Sequence, residues 1–489
     1  MADVNDRRQM PFFLFPVALV TLLLLAGCVT VGPDYIQPEV VVADKWKTEL
    51  NMGLKAGQLD TQRLADWWTT FNDPLLTNLV NIAIADNRDL RQAQARIREA
   101  RAQRGVSTAN RFPTVDASGS FSRSRSSKAT GSGAEVDFYN VGFDASWELD
   151  IFGGKRRSTE VAQANLEASE EDLRDTLVSL LAEVALNYVE VRSFQTRLSI
   201  AEANLDAQNN TYDLTRWRYE AGLTTQLDVE QSRYNLEQTR SQLPTLQTGL
   251  EQAKNRLAFL LGKSPGFLTD ELADRSAIPL APFEIAVGVP ANALRHRPDI
   301  RRAERELAAQ TARIGVATAE YYPKFSLSGS IGLEALSTGN LLEIANRTQR
   351  IAPGFSWNIF DAGRIRQSIE VQNALQEQSL LSYEATILAA LEEVENALSA
   401  YASEQLRRRS LAEAEQAIRQ VVALAEAQYT SGLIDFQIIL DAQASLLAAQ
   451  DNVASSDSEV TSNLIRLYKA LGGGWTSLLP AGVKPVVKR

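Results

Sequence analysis

The sequence predicts an α+β membrane protein with an internal duplication, each chain carrying four transmembrane β-strands and long coiled-coil-like helices. Three observations predict it: the chain repeats itself at an offset of 210 residues, two helical stretches far outrun those of a globular domain, and four segments alternate with period two. Composition narrows the function. Of 489 residues, 45% are apolar and 22% charged, which excludes a disordered chain and a polytopic helical membrane protein. One histidine and one cysteine cannot make a His/Cys zinc site, a CxxC pair or an internal disulfide, and Ser-His-Asp chemistry would rest on His296 alone. The reading is therefore of a protein that is not an enzyme. A formal charge of −10 with scattered basic residues argues against a nucleic-acid partner.

At the amino terminus, Arg7 and Arg8 precede an apolar run from Pro11 to Ala26 that meets Leu25-Ala26-Gly27-Cys28. The run is about 16 residues, shorter than the ~20 of a spanning helix, and reads as an export signal over residues 1–27. Its end resembles a lipobox. That resemblance implies cleavage before Cys28, a diacylglycerol thioether and an N-acyl group on that residue, no other cofactor, and outer-membrane retention because Val29 rather than Asp follows. An uncleaved anchor with a bystander cysteine is the alternative.

The repeat pairs Asp89 with Asp299, Gly105-Val106 with Gly315-Val316, Trp147 with Trp357, Tyr219 with Tyr429 and Gly222-Leu223 with Gly432-Leu433. Each copy reads helix, strand, strand, helix, turn, helix. Residues 28–74 form an amino-terminal lipid-anchored segment, 75–262 the first copy, 263–290 a proline-bearing linker, 291–472 the second copy, and 473–489 a tail.

Between Gly154 and Gly222 there is no proline and no internal glycine, and Leu173, Leu177, Leu180, Val184, Tyr188 and Val191 recur at spacings of three and four. A helix over 155–221 would be about 100 Å long. Ile387, Leu391, Val394, Leu398 and Tyr401 repeat the stripe in the second copy. Flanking helices are expected at about 75–110 and 224–262. Each long helix ends in Tyr-x-x-Gly-Leu, where glycine closes the helix in a left-handed conformation and Thr224, Thr225 or Asp435 can cap the next one.

From Tyr139 to Leu149 the odd positions are Tyr, Val, Phe, Ala, Trp and Leu, and the even ones are polar or glycine. Lys324–Glu334 repeats this, and 113–123 and 350–360 are weaker versions, so strands are expected at about 113–123, 138–149, 324–334 and 350–360. About ten alternating residues suit a tilted strand across a bilayer. Four strands cannot close a barrel, and lipid forbids an open edge, so several chains must close it. Twelve strands leave a wider pore than eight, whose interior side chains fill.

Taken together, Leu25–Cys28 with Val31-Gly32-Pro33-Asp34-Tyr35, Trp67-Trp68 with Phe71-Asn72-Asp73-Pro74-Leu75, Asn87-Arg88-Asp89-Leu90 and the Tyr-x-x-Gly-Leu turns resemble the TolC-type outer-membrane factors, specifically the OprM/NodT-like lipoprotein branch. The resemblance implies a homotrimer with a 12-stranded β-barrel in the outer membrane of a Gram-negative cell and a 12-helix α-barrel in the periplasm. It implies a tripartite efflux system with a periplasmic adaptor docking at tips built from Gly222, Leu223, Thr224, Gly432 and Leu433, and an inner-membrane pump of the resistance-nodulation-division class. By position Tyr429 and Asp441 match a periplasmic gate, while Ile438 and Ile434 replace an acidic and a basic residue found in some members. The same fold also serves type I protein secretion, and a structural envelope lipoprotein without a pore is a further alternative.

Overall fold

The computed structural model describes residues 30–39, 43–57, 61–280, 285–288 and 290–475. The proposed signal, Cys28 and most of the expected tail lie outside these residues. The labelled elements are α1 (Pro74–Asp86), α2 (Arg88–Ala109), β1 (Thr114–Arg125), β2 (Glu135–Leu149), α3 (Gly154–Glu220), α4 (Gln226–Leu260), α5 (Pro298–Ala319), β3 (Lys324–Ala335), β4 (Arg347–Ser356), α6 (Arg364–Thr430) and α7 (Phe436–Ala470). Among them α2 and α5, β1 and β3, α3 and α6, and α4 and α7 recur at an offset of 210 residues.

The chain divides into two compact units. The first takes the described residues up to Pro38 with Ile97–Ala168 and Ala303–Tyr383. Its four strands form one antiparallel sheet in the order β1-β2-β3-β4. Among the described residues neither β1 nor β4 has a second strand neighbour, so the sheet keeps two open edges. The last strand lies at Arg347–Ser356 rather than at about 350–360 because its partner begins at Lys324, which pairs with Ser356. Beyond that register, Trp357 leaves the ladder and its indole N–H donates to the Tyr321 carbonyl at 3.0 Å, as Trp147 does to Arg111 at 2.9 Å. Beside the sheet, the buried guanidinium of Arg157 on α3 donates to the carbonyls of Val31 (3.1 Å) and Gly32 (3.2 Å) and to Asp34 Oδ1 (2.7 Å).

The second unit comprises Glu39–Arg96, Ser169–Arg302 and the described residues from Glu384 onward. Its core holds the apolar stripe read from the sequence: Val184, Tyr188 and Val191 of α3 and Leu398 and Tyr401 of α6 are fully buried, together with Leu181, Leu257, Leu464 and Leu467. Trp67 stacks on Tyr468 at 5.5 Å, holding the amino-terminal segment to α7. Asp73 caps α1 by accepting from Leu75 and Leu76 N–H (2.9 and 3.1 Å) and also accepts from the Tyr188 hydroxyl at 2.6 Å. Burial and that bond to a carboxylate push the Tyr188 phenol up to about 12. Arg192 Nη1 and Gln195 Nε2 donate to the Asp274 and Leu272 carbonyls at 2.8 and 2.7 Å, fixing the linker on the same helix.

The stretch 75–110, expected as one helix, is two. Asn87 breaks it: its backbone leaves the helical region at ψ 136, its side-chain carbonyl accepts from Leu90 N–H (2.9 Å), and its amide donates to the Leu260 carbonyl (2.8 Å). Arg297, 210 residues on, donates likewise to the Ala470 carbonyl at 2.6 Å. Different side chains thus serve one junction in the two copies.

Candidate functional site

Two surfaces are candidates for function, one in each unit. On the sheet, register places residues mostly of like polarity in rows, with Gln349 and Ala352 on the last strand as the exceptions. Val115, Ala145, Gly329 and Ile351 form one row, and Ala117, Phe143, Ile331 and Gln349 another. The intervening rows are polar: Asp116, Asp144, Ser330 and Arg350, then Thr114, Ser146, Ser328 and Ala352. Among the described residues nothing covers the apolar face. Val115 is 67% exposed, Phe143 57%, Ile351 81% and Phe355 71%. A soluble sheet would bury such a face, whereas lipid contact requires it. Among the described residues no helix is long and apolar enough to cross a membrane.

In the second unit, the ends of the long helices form two hairpin apices. Gly222 and Gly432 take φ of 71° and 74°, the left-handed conformation that L side chains adopt only at a cost. At each, two hydrogen bonds close the helix: Gly222 N–H donates to Tyr219 O and Leu223 N–H to Arg218 O, both at 2.8 Å, and Gly432 and Leu433 donate to Tyr429 O and Gln428 O at 2.9 Å. Leu223 and Leu433 stand exposed at the apices. Thr225 caps α4 in a reciprocal box, its hydroxyl accepting from Asp228 N–H (3.3 Å) while its own N–H donates to Asp228 Oδ2 (3.0 Å). Thr224 also donates its hydroxyl to that carboxylate. Against the effect of burial, the hydroxyls of Thr224 and Thr225 and the Thr225 amide hold the Asp228 carboxyl below the ordinary carboxylate range. Asp435 stands at the corresponding cap of α7, but its side chain accepts no hydrogen bond there, contrary to the expectation.

Within the described residues Tyr429 and Asp441 share no hydrogen bond. The Tyr429 ring is buried with Ala425, Phe436, Ile439 and Leu440, 5.3 Å from Phe436. Its hydroxyl is buried without a hydrogen-bond partner among the described residues, and burial raises the phenol above its ordinary value against the Arg218 charge and the neighbouring Thr224 hydroxyl. Asp441 is exposed on α7 and accepts from Gln437 Nε2 at 2.8 Å. The partner that the structure gives Tyr429 is Arg218, whose guanidinium carbon lies 4.4 Å from the ring centroid and ties the end of α3 to the end of α6. Lower on the helices Gln443 Nε2 of α7 donates to the Thr211 hydroxyl of α3 at 3.0 Å. Sequence reasoning misses Arg218 and Asp228. The repeat carries a signal for the second, since Asp228 is the counterpart of Ile438, so the first hairpin keeps an acidic residue where the second has none.

An uncovered amphipathic sheet with open edges, together with two helical hairpins, is the make-up of a channel-forming outer-membrane protein. A family model described as "Outer membrane efflux protein" matches residues 79–263 and 289–473. The chain belongs to this family: it is an outer-membrane efflux channel and not an enzyme. It is 33% identical over 466 residues to "Nodulation protein T" of Rhizobium leguminosarum bv. trifolii, covering 94% of this chain and 97% of that one. It is 31% identical over 466 residues to "Solvent efflux pump outer membrane protein SrpC" of Pseudomonas putida, covering 94% and 98%. Among solved structures, the outer-membrane channel OprN matches with a TM-score of 0.85 and 37% identity, covering 91% of this chain and 99% of that one. The open-state MtrE channel of Neisseria gonorrhoeae matches at 0.82 and 29%, covering 91% and 98%.

Proposed function

We propose that three copies of this chain close their sheets into a 12-stranded barrel in the outer membrane and their helices into a 12-helix periplasmic tunnel, through which small toxic compounds leave the cell. The observation that carries this reading is the four-stranded sheet with an uncovered apolar face and two open edges. In lipid those edges must pair, and joining β1 of one copy to β4 of the next leaves no backbone group unpaired. Two copies would close only eight strands, an interior that side chains fill. The cargo class is carried over from a relative named for solvent efflux, and an inner-membrane pump of the resistance-nodulation-division class, which the sequence resemblance implies, supplies the energy.

The apices at Gly222, Leu223, Thr224, Gly432 and Leu433 meet a periplasmic adaptor, supported by the two exposed leucines on turns each closed by two backbone hydrogen bonds. Tyr429 and Asp441 serve the closed state, with Arg218 and Asp228 added as the groups that set Tyr429 in place. Cys28 carries the lipid, and the chain reaches the sheet unit two residues later, where Arg157 grips Val31, Gly32 and Asp34. The test is gene deletion with complementation: loss of the protein sensitises cells to organic solvents or drugs, and unchanged susceptibility across a broad compound panel contradicts an efflux role.

A further inference from the structure

A groove of about 340 Å³ runs between α3 and α7 in the second unit. Leu186, Glu190, Phe194 and Arg197 line it from α3, and Glu459 and Arg466 from α7. Its volume lies within the range of small-molecule sites, about 300–1,000 Å³.

Helix geometry gives the direction in which it opens. On α3, Tyr188 donates to Asp73 of the amino-terminal segment, and Arg192 and Gln195 donate to carbonyls of the linker. At about 100° per residue, Glu190 and Arg197 point within about 40° of the direction opposite those three side chains. The same holds on α7, where the Thr461 hydroxyl donates to the Pro279 carbonyl of the linker at 2.8 Å and Glu459 and Arg466 lie on the other side of the helix. In the trimer reading the linkers and amino-terminal segments cannot lie within the bore, because three copies of each would fill it. They lie outside, and the groove opens into the tunnel.

The charges of the groove are unequally matched. Arg197 donates to both oxygens of Asp451 at 2.6 and 3.1 Å, and Arg466 Nη1 to Glu459 Oε1 at 2.6 Å and to Asn463 Oδ1 at 2.7 Å. Glu190 is exposed, and among the charged residues of the lining it alone has no counter-ion among the described residues. Leu186 and Phe194, both half-buried, stand one helical turn to either side of it on the same face. A carboxylate between two apolar side chains complements a molecule that carries a positive charge on an apolar body. The duplication does not demand this set: 210 residues on, the positions of Glu190 and Phe194 hold Ala400 and Glu404.

We propose that this groove is a binding station for amphipathic organic cations inside the tunnel, with Glu190 taking the cationic head and Leu186 and Phe194 the apolar body. The inference rests on the trimer reading above and names a cargo class for it. An anionic compound of the same size is repelled by Glu190 and finds both guanidinium groups already engaged.

The test uses the full-length trimer in planar bilayers, with ethidium as the cationic probe and fluorescein as the anionic one, each block normalised to the variant's own conductance. Ethidium should interrupt the current, and Glu190→Gln should raise its half-blocking concentration by about tenfold through loss of one charge-assisted contact. Glu190→Asp should restore most of the ethidium block, and fluorescein should gain nothing from the wild-type carboxylate. Glu190→Cys, treated with a cationic methanethiosulfonate reagent while the channel conducts, should show a step in current that the wild type does not. Equal ethidium block in wild type and Glu190→Gln, or a labelled Glu190→Cys with unaltered current, overturns the station and leaves a conducting trimer standing. A wild-type trimer that inserts and does not conduct overturns the channel reading and the station with it.

Discussion

The Arg218 guanidinium stands over the Tyr429 ring at 4.4 Å, and through this contact the end of the first long helix is fastened to the end of the second. Such a contact is worth about 0.5–2 kcal/mol according to how dry it is. Because the Tyr429 hydroxyl has no partner among the described residues, the ring rather than the oxygen holds the two hairpins in register. Arg218→Ala is expected to raise the conductance of the resting channel in planar bilayers, and Tyr429→Phe to change it far less. Equal, large effects from both would show that the hydroxyl bonds a neighbouring protomer.

The capping box at α4 gives a pH dependence with a definite sign. Asp228 is held below its ordinary carboxylate range, so its contribution is complete above about pH 4 and disappears as pH falls through the depressed value. Asp228→Asn should cost the hairpin about 1 kcal/mol at neutral pH and flatten the acid dependence. Hydrogen exchange of the amides at residues 225–229, followed from pH 7 downward, measures both. A wild-type apex as labile at pH 7 as the variant would contradict the assignment.

Tyr188 ties the segment before α1 to α3 through Asp73, and its raised value keeps it a neutral donor throughout the physiological range. Tyr188→Phe leaves the buried Arg192 Nε without that oxygen and the half-buried Asp73 carboxylate one donor short. The expected loss is about 1–3 kcal/mol, read as a lower thermal transition with faster proteolysis around residues 61–75. An unchanged transition would mean that water replaces the phenol at no cost.

The anchor is tested by Cys28→Ala. Processing before residue 28 and acylation should both fail, and intact mass should show an uncleaved or unlipidated chain, whereas the wild type should show the mass of three added acyl chains. An unmodified wild-type Cys28 would remove lipidation from the account.

Much of this architecture is legible because its signals are periodic. A stripe at spacings of three and four marks Leu177, Val184, Tyr188 and Val191, all buried, and the alternation at 139–149 marks the residues that line the uncovered face. Repetition locates the two apex glycines, since only a left-handed residue closes a helix that way. Contacts made between distant helices leave no local mark, so Arg218 over Tyr429 cannot be read, and position alone groups Asp441 with Tyr429, while within the chain Asp441 bonds Gln437. The break at Asn87 is hidden because its amide serves a carbonyl 173 residues away, and the end of β4 because its partner's first residue sets it.

The most direct test of the central claim is single-channel recording from the purified, detergent-extracted protein in planar lipid bilayers. The account predicts discrete, ion-conducting steps of small amplitude from the closed state, enlarged when Arg218→Ala loosens the apex, from a species that migrates as a trimer. A trimer that inserts into the bilayer and yields no conductance in either form would contradict it.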